Sequence, residues 1–171
     1  FIDMRAGMKW TKRLAALISL LTFVLILMGG LVHATGSSLA CPDWPLCYGQ
    51  VFPQMVGGVA VEHSHRLMAS LVGVLTLILA ISIVRSSLLS RKLKLLSIAL
   101  VLLVVLQGVL GGITVIFKLP TAISTAHLAI SMLFLSSMFF VAVQLGWTKE
   151  AEHSFVINSY YKKITLLVAA L

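Results

Sequence analysis

The stretch LAALISLLTFVLILMGGLV, residues 14–32, runs for 19 positions without a charged side chain. A helix of about 20 apolar residues crosses a hydrocarbon core about 30 Å thick. Three further stretches have this character, at residues 62–84 (free of charge from 67 on), 95–117 and 122–145. Open strands cannot satisfy their backbone in lipid, and the alternation of barrel strands is absent. The sequence therefore predicts an all-α integral membrane protein with a four-helix transmembrane bundle.

The composition agrees with this class. Of the 171 residues, 60% are hydrophobic and 11% are charged, whereas a soluble domain carries roughly 25% charged residues. An ordinary soluble globule, a disordered chain and a disulfide-dense miniprotein are thereby excluded. The net charge of +8 could suggest a nucleic-acid partner. The basic residues occur in short clusters between apolar runs, however, so we expect no nucleic acid.

Lysine and arginine set the orientation of the chain. Of the 13 basic residues, 11 flank one side of the four spans, and such residues concentrate on the cytoplasmic side. The sequence therefore predicts a cytoplasmic N-terminus (1–13), an external loop (33–61), a cytoplasmic linker (146–163) and the start of a fifth span (164–171). Because the chain opens at Phe1 and closes within an apolar run, we expect a piece of a longer polypeptide.

A weak internal repeat links the two hairpins. Spans 1 and 3 end in Gly29-Gly30 and Gly111-Gly112, and spans 2 and 4 begin with His65 and His127 in similar surroundings. These small residues, with Gly108, would allow close approach of helix backbones. The alternative is that membrane helices are simply rich in glycine.

Ionisable residues near the hydrocarbon region are costly and mark function by default. They are few here, and all fall toward the external side: His33, Glu62, His63, His65, Arg66 and His127. Glu62 and His65 are three apart and share a helix face, whereas His63 points to the opposite side.

Two imidazoles on facing helices of a bundle suit the axial positions of one heme iron. Arg66 is then a candidate partner for a heme propionate. The alternative is that these histidines are interfacial, or bonded to nearby Ser and Thr. A di-iron site needs about four carboxylates and only Glu62 is at hand. The case for a zinc site is similarly weak, because its ligands would be scattered histidines alone.

Cys41 and Cys47 lie in the external loop, where oxidation is permitted if the loop faces the periplasm. Five intervening residues with two prolines make a tight but feasible ring. The pair is a structural disulfide or a redox-active one. Trp44 and Tyr48 are expected to be interfacial anchors.

Together these residues resemble the heme A synthases. The resemblance rests on Gly29-Gly30-Leu31-Val32, Ala34-Thr35-Gly36-Ser37, Cys41-Pro42-Asp43-Trp44-Pro45-Leu46-Cys47 and Glu62-His63-Ser64-His65-Arg66, and on Gln107-Gly108 through Gly111-Gly112 with His127 on the next helix. It covers residues 9 to 145. The loop and the Glu-x-x-His-Arg motif are fairly specific together. His33 stands where many relatives carry Arg, so it receives no role.

By the resemblance, members are usually eight-span proteins of two four-helix halves, with some four-span relatives, and this chain corresponds to the first half and the start of a fifth span. That half would hold heme O, whose ring methyl is oxidised by successive hydroxylations to the formyl group of heme A for terminal oxidase assembly. His65 and His127 correspond to the axial ligands, and Glu62 to an essential carboxylate that positions water or stabilises positive charge. Cys41 and Cys47 correspond to a loop disulfide.

The resemblance also implies a setting. A second half would carry a heme b, and the protein would be a multi-pass protein of the inner (plasma) membrane with its active site toward the external face. The expected partners are membrane lipid, heme O synthase and terminal oxidase assembly proteins. Whether the protein forms oligomers is left open.

Two other functions compete. One is a b-type cytochrome that only relays electrons through a bis-histidine heme; Glu62 and the cysteine loop argue against it. The other is a membrane thiol oxidant that uses the loop cysteines and a quinone. Such an oxidant normally needs a second cysteine pair, and this chain has two cysteines in all.

Overall fold

The structure, a computed structural model, describes the backbone of residues 4–168 and the side chains of residues 8–146. Four α-helices account for most of it: α1 (Met4–Ala34), α2 (Gly57–Arg85), α3 (Arg91–Ile116) and α4 (Thr121–Val168). The only β-type pairing in the described range is an isolated bridge between Cys47 and Gln50. The predicted all-α class is confirmed.

All four helices are long and apolar enough to cross a membrane. The qualifying segments have mean hydropathies of 2.1 to 2.7 and comprise Met8–Ala34, Gly57–Arg85, Arg91–Ile116 and Thr121–Gly146. Their outward positions carry large apolar side chains, as at Leu20, Leu102 and Phe139, each at least 60% exposed. Such a surface suits lipid and not water. The chain is therefore an integral membrane protein.

Several helix boundaries differ from the predicted spans, most at the start of α1, which begins at Met4 and not at residue 14, at the start of α2 and at the end of α4. Helix α2 begins at Gly57, five residues before the predicted start at 62, and the added residues 57–61 are small and apolar and extend the apolar run of the span. Helix α4 continues to Val168, so the backbone of the predicted linker 146–163 is helical. The predicted segments 1–13 and 164–171 extend outside the described residues, and the membrane side of each segment stays a prediction.

The connection from α3 to α4 is a tight turn. Lys118 and Leu119 adopt left-handed backbone angles of +55° and +63°, and the Leu119 N–H donates to the carbonyl of Thr114 at 2.7 Å. Pro120 then precedes the first residue of α4, where proline is well tolerated. This short turn fixes the end of α3 beside the beginning of α4.

The helices form a closed antiparallel ring. Each packs against the next along the chain, and α4 packs back against α1; within the described range the backbones of α1 and α3, and those of α2 and α4, are not in contact. Helices α2 and α4 are therefore diagonal partners that run in the same direction. Side chains pointing inward from these two helices face each other across the interior.

The packed core occupies one end of this ring, the end at which the chain enters α1. It is built from apolar side chains in close contact: Leu14, Ala15, Ile18, Val72, Leu79, Ile83, Leu89, Leu93, Leu100, Phe134, Met138, Val141 and Leu145. Lipid tails are as apolar as leucine, so there is no hydrophobic driving force between helices in a membrane. Helices are held together there by such van der Waals packing and by interhelical hydrogen bonds. The interior of the opposite end carries glycine and histidine instead.

Candidate functional site

Two histidines face the interior at the end away from the packed core. A Cβ added to Gly29 of α1 would lie 3.1 Å from Cε1 of His65, and one added to Gly111 of α3 would lie 3.6 Å from Cε1 of His127. Each imidazole thus lies against the first glycine of the Gly-Gly pair in the preceding helix. The internal repeat therefore describes a real spatial equivalence.

The glycines make room for imidazole rings and not for the backbone of a neighbouring helix. The atoms nearest to Gly29 and Gly111 belong to imidazoles, and Gly30 and Gly108 have open space within 4 Å of an added Cβ. The expected close approach of helix backbones at these positions is therefore wrong. A bulky planar side chain fits beside a helix only where the opposing residue lacks a Cβ.

Both imidazoles have a nitrogen without a protein partner. Nδ1 of His65 and Nδ1 of His127 are buried and accept or donate no hydrogen bond. Buried polar atoms are normally paired, so two orphaned ring nitrogens on diagonal helices fit a metal-centred ligand held from both faces. The donor set agrees with a bis-histidine heme.

Glu62 and Arg66 are committed to the external loop. Oε2 of Glu62 accepts a hydrogen bond of 2.8 Å from the backbone N–H of Cys41, and Oε1 forms an ion pair with Arg66 one turn later. Arg66 also donates to the carbonyls of Asp43 and Leu46, both at 2.7 Å, and to that of Cys41 at 3.1 Å. This Glu62–Arg66 pair fastens the loop to α2.

These contacts bear on two predicted roles. All four N–H donors on the two terminal nitrogens of Arg66 have acceptors within the protein. A heme propionate would have to use the remaining Nε–H or displace a loop carbonyl. Glu62 is 3% exposed, and both carboxylate oxygens have partners on the loop side of α2.

The cysteines form the disulfide that the resemblance implies. Cys41 and Cys47 are bonded and fully buried, and residues 41–47 are called the disulfide loop below. The carboxylate of Asp43 accepts from the N–H groups of Tyr48 and Gly49, at 2.6 and 2.8 Å. The hydrogen bond from Gly49 lowers the pKa of Asp43, since it favours the charged carboxylate.

His63 turns to the loop, as its opposition to His65 predicts. Its Nε2 lies 2.9 Å from the carbonyl of Val51, and the side chain is buried beside the disulfide. The sequence predicts no role for His63, and its partner could not be foreseen because Val51 lies in irregular backbone.

Trp44 makes a contact that the sequence does not predict. A Cβ on Gly112 would lie 2.7 Å from the Trp44 ring, whereas the equivalent Gly30 faces open space. The disulfide loop therefore reaches from α2 across to α3. The expected role of Trp44 as an interfacial anchor omitted this packing. In the sequence, the one feature that could have indicated this contact is Gly112, the second glycine of the pair near the end of α3.

A family model covers nearly the whole chain. The model describes a cytochrome oxidase assembly protein, COX15-CtaA, and it matches residues 12–57 and 56–171. The match includes all four helices and the external loop with its cysteines.

Curated relatives agree with the family model. The heme A synthase of Alkalihalophilus pseudofirmus is 34% identical over 148 residues, 85% of this chain and 50% of the relative. That of Bacillus pumilus is 34% identical over 152 residues, 87% of this chain and 50% of the relative. That of Shouchella clausii is 31% identical over 166 residues, 94% and 55% respectively. The chain spans about half the length of the curated relatives it matches.

Proposed function

Because the chain belongs to the COX15-CtaA family of cytochrome oxidase assembly proteins, we propose that it is the substrate-binding half of a heme A synthase. In this role it holds heme O while a ring methyl is oxidised to the formyl group of heme A. The observation that carries the proposal is the pair of imidazoles on diagonal helices, His65 and His127, each with a buried Nδ1 that has no partner in the protein. The relatives named heme A synthase support the reaction class.

In this proposal His65 and His127 are the axial ligands of the substrate iron. Gly29 and Gly111 allow the two rings to lie against α1 and α3, which limits their rotation before the ligand binds. Ligand geometry fixed in advance lowers the entropy lost on binding. When bound, the iron porphyrin supplies the methyl group and a redox-active centre beside it.

The oxidation has a defined balance. Conversion of a methyl to a formyl group replaces two C–H bonds by one C=O, takes one oxygen atom from water, and releases four electrons and four protons. The electrons need an acceptor, and the heme b that the resemblance implies for a second half is the acceptor we propose. Each hydroxylation at the methyl carbon would pass through a species with positive charge beside the ring.

Glu62 has two parts in this scheme. It supports the disulfide loop through the N–H of Cys41, and its negative charge lies one helical turn from His65. A carboxylate near a centre that becomes positive lowers the energy of that state. The positive charge of Arg66 partly offsets the negative charge of Glu62, and its side chain holds the disulfide loop. Its Nε–H remains available to a heme propionate.

The wider setting follows the charge distribution. The basic clusters favour a cytoplasmic N-terminus, so the histidines lie toward the external face of the plasma membrane. A donor that delivers heme O, a heme O synthase, and the terminal oxidase assembly machinery that consumes heme A are the partners we propose. Lipid surrounds the helices, and association into oligomers is compatible with the apolar surface.

Analysis of bound pigment tests the function. The full-length protein is produced in cells that make heme O, and the extracted hemes are separated and weighed by mass spectrometry. We expect heme A from the wild type and retained heme without formyl formation from Glu62→Ala. His65→Ala and His127→Ala should lose most of the bound pigment, and His33→Ala, at an exposed position, serves as the control.

Two results would contradict the proposal. Heme b alone, with no conversion of heme O in cells, would favour the electron-relaying cytochrome. Activity lost in Cys41→Ser but kept in both histidine variants would favour the thiol oxidant.

A further inference from the structure

A groove runs between α2 and α3 at the end of the bundle opposite the histidines, and its volume is about 390 Å³. Its walls are apolar and comprise Leu77, Ile81 and Val84 of α2 with Ile98 and Val101 of α3. Ala80 also lines it and is 5% exposed, whereas Leu77 and Ile98 are more than 40% exposed. The small side chain of Ala80 therefore forms the floor of a depression in the lipid-facing surface.

The length of this groove matches one leaflet of a bilayer. Its lining on α2 runs from Leu77 to Arg85, eight positions that rise about 12 Å along a helix. Half of a hydrocarbon core about 30 Å thick is about 15 Å. The groove thus suits an acyl chain that enters from one membrane surface and ends near the midplane.

Basic side chains surround the mouth of the groove. Arg85, the last residue of α2, lines it directly. On α3, Arg91 and Lys94 each precede a wall residue, Ile98 and Val101, by seven positions, and residues at this spacing share one helix face. Three cations from two helices therefore lie at the end where the groove meets the membrane surface.

These cations have no carboxylate partner in the part of the chain that the structure describes. The sequence from 63 to 149 contains no acidic residue, and the one ion pair within residues 8–146 joins Arg66 to Glu62 at the opposite end of the bundle. A guanidinium recognises phosphate oxygens through two parallel hydrogen bonds. The mouth is thus complementary in charge to a phosphate at the membrane surface.

We propose that this groove binds one anionic phospholipid, with its phosphate at Arg85, Arg91 and Lys94 and an acyl chain between α2 and α3. A free phosphate would leave the apolar groove unused, and a zwitterionic lipid would bring a positive group to a cationic mouth. In the orientation proposed above, the lipid belongs to the cytoplasmic leaflet, whose anionic lipids attract basic segments beside a membrane span. The site is separate from the two histidines and does not depend on heme.

Native mass spectrometry of the purified full-length protein tests the charge recognition. The protein in detergent is equilibrated with equimolar dioleoyl phosphatidylglycerol and dioleoyl phosphatidylcholine, and the retained lipids are counted. We expect the wild type to retain the anionic lipid in preference by about tenfold or more, and Arg85→Ala to lower this preference about fivefold. Arg85→Lys should be intermediate, because an ammonium keeps the charge without the paired hydrogen bonds.

Lys92→Ala is the matched control for charge. Lys92 lies in the same connection, but it lines a different groove, together with Phe140 and Gln144 of α4. The preference should therefore persist in Lys92→Ala. An equal loss in Lys92→Ala and Arg85→Ala would show diffuse attraction by surface charge and overturn a defined site, as would a wild type without preference.

A second pair of variants tests the groove itself. Ala80→Leu fills the floor and should reduce retention of phosphatidylglycerol several-fold, whereas Ala99→Leu, the same change at an exposed position of α3, should not. Excess inorganic phosphate should leave the lipid bound; its displacement by phosphate would indicate an anion site alone and contradict the proposal. If Ala80→Leu does not fold, the substitutions at the exposed Arg85 and Lys92 still decide the question.

Discussion

The backbone N–H of Cys41 donates to the carboxylate of Glu62 across 2.8 Å, so the disulfide loop is fastened to the helical turn that precedes His65. Arg66 adds three loop carbonyls to the same turn. The conformation of the loop and the position of the first histidine therefore depend on one pair of charged side chains.

Substitution of Arg66 should release the loop. In Arg66→Ala the buried carboxylate of Glu62 loses its counter-charge, which we expect to cost about 3 kcal/mol. In Arg66→Lys a single ammonium cannot reach acceptors on both sides, so the loss should be intermediate. Amide hydrogen exchange of residues 41–50 measures the effect. Protection equal to that of the wild type in Arg66→Ala would show that the pair does not hold the loop.

The two glycines at the end of α1 provide a matched pair. An added methyl at Gly29 would lie 3.1 Å from the His65 ring, whereas at Gly30 it meets nothing within 4 Å. Gly29→Ala should displace the imidazole by a few tenths of an ångström and reduce heme retention several-fold, and Gly30→Ala should not. Both changes raise helix propensity equally, about 1 kcal/mol. Equal heme content in the two variants would remove the steric argument.

A double-mutant cycle tests the contact between the loop and α3. Gly112→Ala forces the Trp44 ring away, since the added Cβ would lie 2.7 Å from it, at a cost of about 1–3 kcal/mol. Trp44→Ala removes the ring, so that a methyl group added at Gly112 no longer meets it. The double variant should therefore be no less stable than Trp44→Ala alone. Strictly additive losses in thermal unfolding would mean that the two residues do not interact.

Loss of the disulfide should destabilise the loop and spare the bundle. For a ring of about seven residues, the entropy of loop closure corresponds to about 2 kcal/mol. The sulfurs are fully buried, and the packed core lies at the other end of the helices. Cys47→Ser should thus become sensitive to proteolysis within residues 33–56 while helical circular dichroism is retained. Cooperative loss of helix would contradict this separation.

Reporter fusions test the orientation. Alkaline phosphatase, which is active only outside the cytoplasm, should be active when fused at Lys118 and inactive when fused at Ser90. The physical reason is the concentration of basic residues beside the α2–α3 connection. The reverse pattern of activities would invert the proposed side of the histidines.

The sequence was sufficient for the helices, because four charge-free runs of membrane-spanning length permit little else in lipid. It also placed His65 and His127 at one depth, since the repeat carries them in equivalent positions. It could not place Arg66, because the acceptors are carbonyls of irregular backbone, which depends on turn geometry and not on periodicity. The packing of Trp44 on Gly112 was missed for the same reason: no local pattern connects the loop to α3.

The concentration of packing at one end of the bundle has a consequence for biogenesis. Leu79, Leu100 and Met138 belong to one packed apolar cluster away from the histidines, so the contacts that hold the helices together at this end do not involve the histidine end. Pigment can then be loaded into an assembled protein rather than being required to nucleate it. In our proposal, the supply of heme O would therefore limit enzyme activity and not the amount of inserted protein.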